Sequence, residues 1–145
     1  MFYTKEIRIP LYDMFVLQVV VGDEIERINE FVDIKDNKEW FADTITTSPK
    51  CEVCEDDSIA RGIAVVLNPS FTGCAQLNVG IISHEAVHVK NIIFRSIKHK
   101  NSTKIGEDEP EAYLINWIVN TINNFYEECL LKENNDGDNS KTTST

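Results

Sequence analysis

Residues 84–88 read His-Glu-Ala-Val-His and lie in an apolar run that contains no Gly or Pro from position 81 to position 100. Residues four apart lie on the same face of an α-helix, so this spacing places His84 and His88 side by side. Apolar residues recur at helical spacing on the opposite face: Ile82, Ala86, Val89, Ile93 and Ile97. The stretch therefore predicts a helix that buries one stripe and presents two imidazoles on another face.

Two imidazoles at this spacing can bind a single cation, and Glu85 stands beside them. The pattern is typical of zinc hydrolases, in which a catalytic zinc keeps three protein ligands and one water. A helix whose histidines only satisfy hydrogen bonds is the alternative. The intervening Glu and the apolar context favour one Zn²⁺ per chain, bound by His84 and His88, with Glu85 as the general base.

The third ligand is expected from the polar segment that follows this helix. Its candidates are His99, Glu107, Asp108, Glu109 and Glu111. His99 lies between two lysines, whose charge opposes a cation. A carboxylate at the start of the next helix can reach the histidine pair if the two helices pack antiparallel.

Among these acids we favour Glu109, because it falls on a polar strip of the predicted second helix. The other members of that strip are Tyr113, Asn116 and Asn120. Glu111 points instead to the apolar stripe of the same helix. For Glu111 and Asp108 we prefer the simpler role of acidic charge at a helix N-terminus, where Asp108 and Glu111 have capping-box spacing.

Composition limits the partners of the chain. The 145 residues include 14 basic and 24 acidic side chains, a formal net charge of -10, which opposes binding to nucleic acid or to anionic membranes. No apolar run approaches the roughly 20 residues that span a bilayer, and the N-terminus lacks the pattern of a secretion signal. We therefore expect a cytoplasmic protein with no nucleic-acid or membrane partner.

Four cysteines, Cys51, Cys54, Cys74 and Cys129, could form two disulfides or contribute to a second zinc site. Cys51 and Cys54 form one C-x-x-C pair in an acidic loop, a setting that raises thiol pKa values and disfavours redox activity. In a reducing cytosol, free thiols without a special role are the expectation.

The remaining elements follow from apolar patterning. Lys5–Pro10 and Met14–Val21 predict a strand hairpin, residues 23–32 a short helix and Ala42–Thr47 a further strand. Gly62–Asn68 predicts a strand just before the histidine helix, either an edge strand that a peptide could extend or an ordinary sheet strand. A long helix is expected from Glu109 to about Lys132, which makes residues 1–132 one domain and leaves residues 133–145 as a disordered tail.

The H-E-A-V-H sequence followed by Glu-Pro-Glu-Ala-Tyr at 109–113 resembles the gluzincin branch of the zincin metallopeptidases. It is most similar to small zinc peptidases of the ImmA/IrrE type and to short relatives common in phages. The resemblance implies zinc ligands His84, His88 and Glu109 and the base Glu85. For a phage-encoded chain it also implies the host cytoplasm or the virion. The chain differs in having Tyr113 where Asn or Asp is usual, and in lacking a helix-turn-helix.

Together these observations predict an α+β fold, a minimal zincin-like arrangement of a small, mostly antiparallel sheet packed on two long metal-binding helices. The predicted activity is zinc-dependent hydrolysis of a peptide or protein substrate, and Tyr113 is either an oxyanion donor or a core tyrosine. A non-catalytic protein that keeps a structural metal on a zincin scaffold, such as a phage accessory or structural component, is the alternative.

Overall fold

The two most apolar segments of the chain form adjacent strands at the centre of one sheet. A computed structural model of the chain describes residues 1–31, 42–45, 60–70, 79–100 and 102–139. Its strands are β1 (Phe2–Arg8), β2 (Phe15–Gly22), β3 (Ala42–Ile45) and β4 (Arg61–Leu67), in the order β1-β2-β4-β3. β2 and β4 pair in parallel, whereas β1 with β2 and β3 with β4 are antiparallel.

The described residues include three helices: α1 (Ile25–Phe31), α2 (Val79–Ser96) and α3 (Glu109–Asn139). Side chains of β2 and β4 alternate between the two faces of the sheet. Phe15, Leu17 and Val19 join the core formed with α2 and α3, while Val20 packs with Ile28 of α1 on the other face. Both central strands are therefore buried on two faces, which explains why their sequences are almost entirely apolar, with the buried Gln18 as the polar exception in β2 and the exposed Arg61 at the start of β4. The predicted α+β fold is confirmed.

The end of α2 is a Schellman motif centred on Lys98. This residue has φ +55°, its N–H donates to the carbonyl of Arg95, and the N–H of His99 donates to the carbonyl of Phe94 at 2.9 Å. The motif brings its two flanking side chains together, so the rings of Phe94 and His99 lie 4.4 Å apart between centroids. The direction in which the chain leaves α2 is thereby fixed.

The sequence left two alternatives open for the strand before α2. β4 is paired on both sides, which confirms an ordinary sheet strand and rules out an edge strand, and β3 is an edge strand of the described sheet. One feature differs from the sequence-based expectations. α3 continues beyond Lys132 to Asn139. The Tyr3 hydroxyl donates to Glu133 at 2.9 Å and the Lys132 ammonium lies over the Tyr3 ring, so β1 supports this part of the helix. The remainder of the predicted tail, 140–145, lies outside the described residues, as do positions 46 and 47 of the predicted third strand.

None of the described helices is both long and apolar enough to cross a bilayer.

Gly22 at the end of β2 gives a direct test of this packing. A Cβ at this position would lie 2.9 Å from the Met1 carbonyl oxygen, a contact with backbone that side-chain rotation cannot relieve. We expect Gly22→Ala to lower the free energy of unfolding by roughly 1–3 kcal/mol, measured by urea denaturation.

The matched control is Gly137→Ala, at a helical position where an added Cβ meets nothing within 4 Å. Alanine has the higher helix propensity, so this substitution should raise the free energy of unfolding by roughly 0.5–1 kcal/mol. Equal effects of the two substitutions would contradict the close approach of β2 to the first residues of the chain.

Candidate metal centre

The packing of α2 fixes how its two histidines face. Ile82, Ala86 and Val89 are completely buried against the core, so the helix cannot rotate without exposing them. His84 and His88 are consequently exposed, and their rings meet edge to face with centroids 4.7 Å apart. Their Nε2 atoms lie 3.0 Å from each other. The predicted side-by-side placement of the two imidazoles is confirmed.

This geometry fits two ligands of one metal ion. Zinc binds imidazole nitrogen at about 2.0–2.1 Å, and a tetrahedral angle then separates two ligand nitrogens by about 3.3 Å. The observed 3.0 Å is a few tenths of an ångström shorter, a difference within reach of small ring rotations. A hydrogen bond between a donor nitrogen and an acceptor nitrogen of neutral rings produces the same distance. The distance between the Nε2 atoms therefore fits both arrangements.

Glu85 does not share the exposure of the histidines. Only 5% of its surface is accessible, because it lies on the side of α2 that turns towards the protein, next to Ala86. A general base must come within hydrogen-bond reach of the proton that it removes. Its catalytic role therefore stays a prediction, and it requires the carboxylate to reach the side of the helix where the imidazoles converge.

Glu109 and Tyr113 lie away from the histidine pair. Both are exposed and line a groove between α3 and the loop that joins β1 to β2, whereas the histidine pair does not contribute to that groove. Tyr113 keeps 71% of its surface accessible, so the alternative of a core tyrosine is wrong. Its predicted role as an oxyanion donor has no support from its position.

The separation of Glu109 from the histidines has a geometric cause. α2 continues for eight residues after His88 before it ends at Ser96. At 1.5 Å per residue, its end lies about 12 Å beyond the level of His88. α3 begins beside that end, where the Nε2 atom of His99 lies 3.9 Å from Glu111. An acid in the first turn of α3 is therefore roughly two helical turns past the histidine pair.

Glu111 is buried, with 7% of its surface accessible, on the same stripe as Leu114 and Ile118. This confirms the predicted direction of its side chain. The predicted capping box with Asp108 is absent, because Oε1 accepts a hydrogen bond from the Ser102 N–H at 3.0 Å instead. The second oxygen, Oε2, is buried and has no hydrogen-bond partner among the described residues. Glu111 thus fastens the loop between the two long helices.

Within the described ranges, no group of three or more His, Cys, Asp or Glu side chains is placed to hold a metal ion. Cys129 is buried among the core side chains, and burial raises the pKa of its thiol to about 11, which leaves it protonated and inert at neutral pH. The other cysteines, Cys51, Cys54 and Cys74, lie outside the described residues. The described part of the chain therefore brings two candidate metal ligands together, His84 and His88, and places no third candidate beside them.

Sequence patterning missed the groove that contains Glu109. Its α3 wall is the polar strip noted in the sequence, extended by Trp117 and Asn124. The sequence does contain one signal for this wall of the groove, three asparagines at intervals of four: Asn116, Asn120 and Asn124. The contribution of Pro10 and Tyr12 could not be found, because nothing local in the sequence places the hairpin loop against α3.

No protein-family model, curated protein or solved structure matches this chain. The resemblance to gluzincin peptidases consequently stays a prediction that rests on the motif residues.

Substitution of Glu111 tests its structural role. Glu111→Gln keeps an oxygen to accept the Ser102 N–H while it removes a buried charge, so we expect a change of less than about 1 kcal/mol in the free energy of unfolding. Glu111→Ala removes the acceptor and leaves a gap, which should cost roughly 1–3 kcal/mol. Chemical denaturation measures both. Equal losses for Gln and Ala would mean that the negative charge, rather than the acceptor oxygen, holds the loop.

Proposed function

We propose that the protein binds Zn²⁺ through His84 and His88 and hydrolyses peptide bonds at that site. The observation that carries the proposal is the convergence of the two exposed Nε2 atoms at 3.0 Å on one face of α2. The sequence H-E-x-x-H adds a carboxylate at the adjacent position. Bound zinc would supply Lewis acidity and a water of lowered pKa.

The protein groups have separate tasks in this proposal. His84 and His88 hold the ion at the surface of α2, where a substrate has access. Glu85 takes a proton from the attacking water and passes it to the leaving amine. β3, at the edge of the described sheet and in contact with α2, offers backbone groups that an extended substrate could pair with.

A second candidate is a non-catalytic protein that binds the metal for stability or for interaction. The burial of Glu85 and the distance of Glu109 from the histidines favour it, because both residues are needed for the resemblance to a peptidase site. Both candidate functions include metal binding, so hydrolysis of a peptide is the property that distinguishes them.

Zinc titration of single-histidine variants tests the metal site. We expect one zinc per chain, and His84→Ala and His88→Ala should each weaken binding by at least about tenfold because each removes one of two imidazole ligands. His99→Ala is the matched control: this histidine contacts Phe94 and Glu111, away from the pair, and its loss should leave zinc affinity unchanged. Calorimetry or elemental analysis after dialysis measures the stoichiometry. Absence of zinc uptake by the parent protein would end the proposal.

Three glutamate-to-glutamine variants separate the roles of the acids. Glu85→Gln should keep zinc and abolish peptide hydrolysis, because an amide cannot accept the proton of the water. Glu109→Gln and Glu111→Gln should keep zinc, because the first side chain lies in the groove and the second holds Ser102.

Activity is measured as cleavage of a mixed quenched-fluorescent peptide library with zinc present. A large loss of zinc affinity in Glu109→Gln would restore this residue as the third ligand. Full activity in Glu85→Gln would exclude the hydrolytic mechanism, and a zinc-loaded parent without turnover would favour the non-catalytic candidate.

A further inference from the structure

A groove of about 850 Å³ lies between α3 and the loop that connects β1 to β2. Pro10, Leu11 and Tyr12 form the wall on the loop side. The α3 wall includes Glu109, Tyr113, Asn116, Trp117, Asn120 and Asn124. No residue of α2 lines the groove, so it is separate from the histidine pair.

The loop wall is held in a defined conformation. The N–H of Tyr12 donates to the carbonyl of Ile9, and the N–H of Phe15 donates to the carbonyl of Tyr12 at 2.8 Å. Leu11 has φ +64°, a strained conformation for a leucine, and keeps 96% of its surface in solvent. An apolar side chain is thus held outward at the rim in a backbone conformation that costs energy.

The floor of the groove is continuous with the core. Tyr12 and Trp117 are partly buried and pack against the main apolar cluster, while Tyr113 projects from α3 into solvent. Aromatic rings anchored in this way present apolar area that loses little conformational entropy on binding. The groove therefore offers rigid ring surfaces for apolar side chains.

Charge restricts what the groove accepts. Among the described residues that line it, Glu109 is the only charged one, and these residues include no Lys or Arg. The chain as a whole carries a formal charge of -10. Both observations favour a ligand with positive charge near Glu109 and disfavour an anionic one.

The spacing of the asparagines matches an extended backbone. Asn116, Asn120 and Asn124 recur every four residues of α3, which is about 6.0 Å along the helix. In an extended peptide, backbone groups that point to one side recur every two residues, about 6.6–6.8 Å. Each asparagine offers an N–H donor and a carbonyl acceptor, so each can pair with both groups of a peptide unit.

The asparagines are also available for such pairing. The Asn120 amide donates to the Asn116 side-chain oxygen at 3.4 Å, a long hydrogen bond that a backbone ligand would replace with shorter ones. All three residues are exposed.

We propose that this groove binds an extended peptide segment of another protein, with apolar side chains at alternate positions and a Lys or Arg that pairs with Glu109. The three asparagines hold the peptide backbone, and the rings of Tyr12, Tyr113 and Trp117 receive its apolar side chains. Binding requires no metal, so the site stands apart from the proposed zinc chemistry.

The test begins with selection of displayed random nonapeptides on the full chain in the presence of EDTA. Enriched peptides should have apolar residues at alternate positions and carry at least one basic residue. The affinity of a labelled enriched peptide is then measured by fluorescence anisotropy. The double variant Asn116→Ala/Asn120→Ala should bind it about tenfold or more weakly, through loss of several backbone hydrogen bonds.

Asn123→Ala is the matched control, with the same substitution on the same helix. Asn123 does not line the groove and its amide donates to Glu127 at 3.0 Å, so peptide affinity should be unchanged. Glu109→Gln should lower the affinity for the basic peptide. The same variant should not change the affinity for an analogue in which norleucine replaces the lysine or arginine. Circular dichroism of each variant verifies that the fold is intact.

Several results would overturn the proposal. These are a failure of the library to yield any binder, equal affinity of the double variant and the Asn123→Ala control, and binding that depends on added zinc. Sedimentation that shows a dimer weakened by Asn116→Ala/Asn120→Ala would assign the groove to a second copy of the chain instead. None of these results bears on zinc uptake by His84 and His88, which is measured separately.

Discussion

The parallel pairing of β2 with β4 is the interaction on which the rest of the structure depends. Seven residues of each strand are in register, from Phe15 opposite Arg61 to Val21 opposite Leu67. Because both strands carry mostly apolar side chains on both faces, each face of the sheet requires a cover. α2 and α3 cover one face and α1 packs against the other. The apolar stripe of α2 is thereby directed inward, and the two histidines are left at the surface.

The length of α2 determines which residues of α3 are its neighbours. The helix ends at the Schellman motif of Lys98, and the loop beyond it is fastened by the bond from Ser102 to Glu111. Both contacts lie well past His88. The acids at the start of α3 therefore meet His99 and the groove, and the histidine pair faces a different part of the molecule. In this structure the candidate metal centre and the groove are two sites on one pair of helices.

Local patterning predicted much of the fold. The hairpin of β1 and β2, the position of β3, the start of α3 and the inward direction of Glu111 all follow from periodicity and turn residues, and the structure contains them. The side-by-side placement of His84 and His88 follows from the helical repeat alone. These properties depend on neighbours along the chain, which a sequence records directly.

Other properties depend on contacts between distant segments, and patterning could not supply them. Periodicity gives the rotation of a helix about its axis but not its position along that axis. It therefore predicts that Glu109 shares a face of α3 with Tyr113 and Asn116, but not that this face lines a groove beside the β1–β2 loop. Patterning cannot predict strand order either, because the central place of β4 is set by its pairing with β2, a distant segment of the chain. The extension of α3 to Asn139 depends on Tyr3, 130 positions before its partner Glu133.

The parallel sheet centre also affects how fast the chain can fold. Phe15 pairs with Arg61, 46 positions later, whereas β1 with β2 and α2 with α3 are joined by short connections. Closing a long loop costs entropy before the contacts that it allows are gained. We infer that the strand hairpin and the helix pair form early, and that joining β2 to β4 limits the rate. Until then the β4-facing edge of β2 is unpaired and the apolar side chains of both central strands are exposed, which makes the unassembled chain prone to association with other copies.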